Sequence, residues 1–161
     1  MSLAPLTSNL GVSRAKHLLR RACFHYNKDL LYTISSLNVD EAINYLLQDN
    51  TVSYEEPYDP LPSDSPHGYW LSSNEYPPDI PNQGRKRGLL SQWWFYNMVN
   101  RNNLKDKLLF FLHTTFTISK GDVGASHYFY DHLRLLEFYS DGNLRELAKK
   151  ITLDNAMLNY L

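Results

Sequence analysis

Seven of the eight prolines in this 161-residue chain stand between residues 57 and 81: Pro57, Pro60, Pro62, Pro66, Pro77, Pro78 and Pro81. Proline has no amide hydrogen to give to a helix or a sheet, and its ring fixes φ, so such a run excludes regular structure there and moves it to either side. The chain is thereby divided into a helical stretch of about 13–49, a proline-rich loop of about 50–83 and a second helical stretch of about 84–161. A loop of that length is uncommon in a compact domain and tends to be functional or flexible. It carries Tyr54, Tyr58, Tyr69, Trp70 and Tyr76. These are too aromatic for a solvated linker, so part of the loop is expected to lie on the helices.

The flanks read as helices. Ser13 is the expected N-cap of a first helix running to about His25, with Ala15, Leu18, Leu19 and Ala22 at the i, i+3, i+4, i+7 spacing of one buried stripe. A short helix follows from Asn27. Asn38 and Glu41 form a capping-box pattern that opens a helix through Ala42, Ile43, Leu46 and Leu47. Beyond the loop, helical periodicity returns near Gly88, breaks at Asn102–Asn103, and resumes from Leu104 to about Thr117, with Leu104, Leu108, Phe111, Leu112 and Phe116 as its apolar side. A turn at Lys120–Gly124 precedes a helix of roughly 125–140. Asp141–Gly142 ends that one, and Asn143 caps a further helical stretch toward Leu161. Trp93-Trp-Phe-Tyr96 surrounds a whole helical turn, which predicts that most of it is buried. With no internal repeat, no sustained heptad and almost no alternating pattern, the expected fold is all-α, an irregular multi-helix array with a long proline-rich loop.

Composition excludes several function classes. A chain of this length buries roughly two-thirds of its unfolded surface, and 43% hydrophobic residues supply a core. The net charge of −1 sets up no field to recruit nucleic acid or an anionic membrane, so neither is expected as a partner. Cys23 is the only cysteine, which rules out an intrachain disulfide and a cysteine-based zinc site. The N-terminus lacks a basic segment followed by an apolar core, and no apolar run approaches the ~20 residues of a membrane span. The chain therefore reads as cytoplasmic. No Gly-rich phosphate loop, Gly-x-Ser-x-Gly, His-Glu-x-x-His or Cys-x-x-Cys is present, so no cofactor and no catalytic residue is assigned.

The informative residues lie opposite the apolar stripes. On the first helix His17, Arg20, Arg21 and Phe24 point away from Ala15, Leu18 and Leu19, and paired guanidinium groups suit an anion. Arginines so placed also make ordinary interhelical ion pairs. His113 has the chemistry of a general base or a metal ligand, but no histidine or carboxylate stands at i+4 beside it, so it reads as a core-edge histidine and no metal site is expected. His127 and Asp131, continued by Arg134 and Glu137, read as a surface charge ladder with His132 directed elsewhere. Arg85-Lys-Arg87 reads as a solvated helix start.

Three segments carry a resemblance. His17-Leu-Leu-Arg-Arg-Ala-Cys-Phe24 resembles the His-Leu-Leu-Arg-Arg-Ala-x-Phe opening of the bacterial family known as domain of unknown function 1800. Leu104-Lys-Asp-Lys-Leu-Leu-Phe-Phe-Leu-His-Thr-Thr-Phe116 is similar to its Glu-Lys-x-x-x-Phe-Trp-His-x-x-Phe segment. Gly142-Asn-Leu-Arg-Glu-Leu147 and Asn155-Ala-Met-Leu-Asn-Tyr-Leu161 are similar to its Gly-Asn-Phe-x-x-Leu and Pro-Ala-Met-Leu-x-Tyr-Leu. The chain departs from that pattern at His25, Leu112 and Asn155, where the family has Gly, Trp and Pro. The resemblance implies the N-terminal portion of a larger helical protein, with His17, Arg20, Arg21, Phe24 and His113 at motif positions, and it implies no activity. The apolar residues Met157, Leu158, Tyr160 and Leu161 agree with this, since they call for a missing C-terminal part of a longer chain or for self-association. The expected role is a non-enzymatic binding or assembly module. The alternative is part of a hydrolase-like enzyme whose site is completed by missing C-terminal residues, with His17, Arg20 and His113 as this portion's contribution.

Overall fold

The computed structural model describes residues 6–48, 55–61, 68–72 and 80–161. Among them are eight α-helices: α1 (Gly11–Ala22), α2 (Lys28–Ser35), α3 (Val39–Leu47), α4 (Gln83–Asn100), α5 (Leu104–Thr115), α6 (Ser126–Phe138), α7 (Leu144–Ile151) and α8 (Asn155–Tyr160), with one 3-10 turn at Trp70–Ser72. The only β-type pairing among these residues is an isolated bridge between Asp59 and Gly68, so the fold is all-α. No helix among the described residues is long and apolar enough to cross a membrane. The expectations for residues 50–54, 62–67 and 73–79 of the proline-rich stretch lie outside the described residues.

The chain forms two compact units, one from Met1–Val52 with Met98–Lys107 and one from Ser53–Asn97 with Leu108–Leu161. In the first, Ala15, Leu19 and Ala22 of α1 close on Leu30 and Ile34 of α2 and on Ala42 and Leu46 of α3, with Leu104 packed against the cluster. Three residues of the stripe expected for α1 are thus buried, while Leu18 is half-buried. The boundaries of α1 differ, because Leu10 occupies the cap position without a side-chain cap and Gly11 turns the chain with φ +67°. Ser13 consequently falls inside the first turn, and the helix ends three residues before His25.

Asn27 caps α2, its side chain accepting from the Leu30 amide at 2.8 Å. The capping box of α3 is complete, with Asn38 Oδ1 accepting from the Glu41 amide and Glu41 Oε2 accepting from the Asn38 amide, both at 3.0 Å. Replacing Asn38 by Ala removes an acceptor for an otherwise orphan N–H, and we expect a loss of about 1 kcal/mol. A urea-denaturation midpoint unchanged by that substitution would remove the box from the stabilising interactions.

In the second unit, Trp70, Ile80, Leu90, Trp94, Leu109, Leu112, Val123, Phe129, Leu133, Leu136, Leu147 and Ile151 are buried. Part of the proline-rich stretch does lie on helices. The Trp70 indole donates to Ser126 Oγ of α6 at 3.0 Å, and the Trp93 indole of α4 donates to the Glu55 carbonyl at 2.8 Å.

Several sequence expectations are corrected here. Helix α4 begins at Gln83, ahead of Gly88, because Asn82 takes a left-handed φ of +58° and its carbonyl accepts the Lys86 amide. Arg85-Lys-Arg87 is engaged by protein groups, and Lys86 is buried. Arg85 and Lys86 meet Asp59 at 2.5 and 3.1 Å, and Arg87 donates to the Gly124 carbonyl. In Trp93–Tyr96, Trp94 is buried while Phe95 and Tyr96 are exposed, since a helix packed on one side cannot cover four consecutive residues. On α5 the buried residues include Leu109 and Leu112, and Phe111 is exposed. The stretch toward Leu161 is two helices, broken at residues 152–154, where Asp154 Oδ2 accepts the Met157 amide at 3.0 Å and starts α8.

Candidate functional site

In the first unit α1 and α3 leave a groove of about 650 Å3, lined by Leu10, Ser13, Arg14, His17, Leu18, Arg21, Val39 and Ile43. Helical geometry explains its two-sided character. Arg14, His17 and Arg21 stand at i, i+3 and i+7, one stripe spanning about 10 Å of α1 at 1.5 Å per residue. Across from them, the first and fifth residues of α3, Val39 and Ile43, share a face and present an apolar wall. No side-chain hydrogen bond or ion pair engages Arg14, His17 or Arg21 among the described residues. The N-terminus of α1 at the Leu10 end has no side-chain cap either, so its partial positive charge is left uncompensated.

The structure therefore gathers two of the five sequence candidates, His17 and Arg21, into one site. Arg20 is exposed and does not line the groove. Phe24 is exposed and does not line the groove, and Lys107 Nζ stands 3.9 Å from its ring centroid. Arg14 escaped the sequence reading, although it lies one turn before His17 on the same stripe. Cys23, buried in the adjoining core, has its thiol pushed up to about 11 by burial and then by the Asp106 carboxylate. A protonated thiol there is packing, not a nucleophile.

His113 belongs to the second unit, where α5 and α6 bring it against His132 with ring centroids 5.8 Å apart and edge-on. Trp94 of α4 meets its other side at 4.9 Å. His132 is fully buried. Its Nδ1 lies 2.8 Å from Asp154 Oδ2, and because a carboxylate only accepts, Nδ1 carries the proton of that bond. Among the described residues, His132 Nε2, His113 Nδ1 and Trp94 Nε1 are buried without a hydrogen-bond partner. Burial, then the neighbouring His132, brings the His113 pKa down from 6.5 to about 4, so it is a neutral imidazole at neutral pH. Among the described residues no three His, Cys, Asp or Glu side chains are placed to hold a metal ion.

In the sequence His132 reads only as directed away from the His127–Asp131 face, and nothing at i+4 on its own helix partners His113. The partner comes from another helix, which no local spacing encodes. The surface ladder on α6 is present in part, as an Arg134–Glu137 ion pair.

Comparison with known proteins adds one finding. The model of a protein family of unknown function, DUF1800, matches residues 17–161. Neither a curated protein nor a solved structure matches the chain at a significant level.

Proposed function

The chain belongs to the DUF1800 family of proteins of unknown function, and from that premise we propose that it is a non-enzymatic binding module of a larger bacterial protein, with the α1–α3 groove as its ligand site. The observation that carries this reading is a 650 Å3 groove with Arg14, His17 and Arg21 on one wall, side chains that have no hydrogen-bond or ion-pair partner among the described residues, and Val39 and Ile43 on the other. Its volume falls among small-molecule sites, which run from roughly 300 to 1,000 Å3 and combine apolar lining with a few polar groups. Leu153 and Leu158, both exposed, support an assembly role for the same chain.

The test is amide chemical-shift mapping of the 15N-labelled chain against a mixture of small aromatic and carboxylic fragments. Shifts confined to Leu10–Arg21 and Val39–Ile43, and abolished when Ile43→Trp fills the groove, are the expected result. Fragments that leave those amides unmoved would remove the groove as a binding site.

A second reading, part of a hydrolase-like enzyme, draws on the unpaired Nε2 of His132 and the carboxylate that orients the ring. An imidazole held in one tautomer by Asp154 has the form of a general base. It gains only if hydrolysis of a nitrophenyl ester is found and is lost in His132→Asn while the fold survives.

A further inference from the structure

We propose that the α1–α3 groove takes a small amphipathic anion, a phosphate or carboxylate head on an apolar body, with Arg14, His17 and Arg21 on the head and Leu18, Val39 and Ile43 on the body. This rests on the groove being the binding site, and it names what binds there.

The head follows from the cationic wall. Along the axis of α1, Arg14 lies about 4.5 Å before His17 and Arg21 about 6 Å after it. Both arginine side chains are long enough to lean toward an oxyanion centred over His17. Guanidinium groups present paired N–H donors that match phosphate and carboxylate oxygens, and His17 adds a ring donor. The uncapped start of α1 contributes further positive potential at the Leu10 end. The whole chain has a net charge of −1, so the preference is local and owes nothing to a general basic field.

The body follows from the opposite wall. Leu10, Leu18, Val39 and Ile43 offer no donor or acceptor from their side chains, and a second charged group there would be desolvated without compensation. A neutral head is disfavoured at the other wall for the same reason, because it would cover two guanidinium groups without pairing them.

The size of the site selects a small molecule over a protein segment. Helix α3 has nine residues and is about 13 Å long, too short a wall for the roughly 1,000 Å2 or more that a specific protein interface buries.

The experiment is isothermal titration of the full chain with octyl phosphate, octanoate, octanol and inorganic phosphate, each below its micelle concentration. Octyl phosphate is expected to bind best. Octanol and inorganic phosphate are each expected to bind at least about tenfold more weakly, since a charge-assisted pair or the apolar contact is then missing. The Arg14→Gln/Arg21→Gln double variant should bring octyl phosphate to the level of octanol, and Ile43→Ser should weaken the octyl ligands. All three side chains are exposed, and an unchanged urea midpoint verifies that the variants fold.

Octanol binding as tightly as octyl phosphate, with no effect of the double variant, would overturn the anionic class and leave the groove standing as an apolar site. Inorganic phosphate matching octyl phosphate would overturn the apolar body. If no probe binds while fragments still shift the groove amides, the ligand class is wrong. If neither binds, the groove reading fails with it.

Discussion

Between pH 6.5 and 4 the unit that holds α6–α8 is expected to lose about 3 kcal/mol of stability through His113, and the His113→Phe variant is expected not to show that loss. In the unfolded chain the imidazole takes up its proton near 6.5, whereas in the folded unit it does so only near 4. Across that window the unfolded chain binds more protons, so acid favours unfolding. Above 6.5 neither state is protonated at this residue, and below 4 both are, so the loss is confined to the window.

Burial against Trp94 and the adjacent His132 are the causes, and Asp154 lies on the far side of His132. The chain has six histidines, so the informative quantity is the difference between wild-type and variant urea midpoints measured from pH 7.5 to 4. A ring-proton titration by NMR reads the same group directly. A His113 ring titrating near 6.5, or an identical acid slope in the variant, would sink the prediction.

Asp59→Ala is expected to cost 3–5 kcal/mol, the range for removing one partner from a buried ion pair. Asp59 and Lys86 both have side chains at 0% exposure, with Nζ to Oδ2 at 3.1 Å. Arg85 reaches the same carboxylate at 2.5 and 2.7 Å, and Lys86 Nζ sits 5.3 Å from the centre of the Trp70 ring. Substitution removes the carboxylate from an ammonium whose side chain is fully buried.

The cost comes mostly from leaving that charge behind, so the Asp59→Ala/Lys86→Met double variant should recover a large part of it. A single-variant loss below about 1 kcal/mol would mean that Lys86 relaxes into solvent. Burial alone would raise the Asp59 pKa, but the Leu61 amide, Arg85 and Lys86 outweigh it and hold the carboxyl below its ordinary 3.8. Its contribution is present above 3.8 and is lost only as the pH falls through that lowered value, outside the His113 window.

What was legible in the sequence is what local chemistry encodes. Three of the four stripe residues, Ala15, Leu19 and Ala22, the helix that follows Asn27, the caps at Asn38 and Asn143, and the break at residues 102–103 all appear where spacing and side-chain chemistry place them. The Arg85–Arg87 stretch failed because its counter-charge, Asp59, lies 26 residues earlier across a proline-rich segment. The Phe111 expectation failed because a helix wheel with apolar residues on several sides does not say which side packs. In the candidate site, His17 and Arg21 were found because α1 alone aligns them. The apolar wall of α3 and the His113–His132 contact are products of tertiary packing, and no window of a few residues contains them.

One carboxylate oxygen, Asp154 Oδ2, accepts both the Met157 amide at 3.0 Å and His132 Nδ1 at 2.8 Å. The first bond starts helix α8 and the second selects the tautomer of a buried imidazole. The start of α8 and the proton position on His132 are therefore coupled through one atom. A disturbance entering from either end is felt at the other without any longer chain of contacts between them.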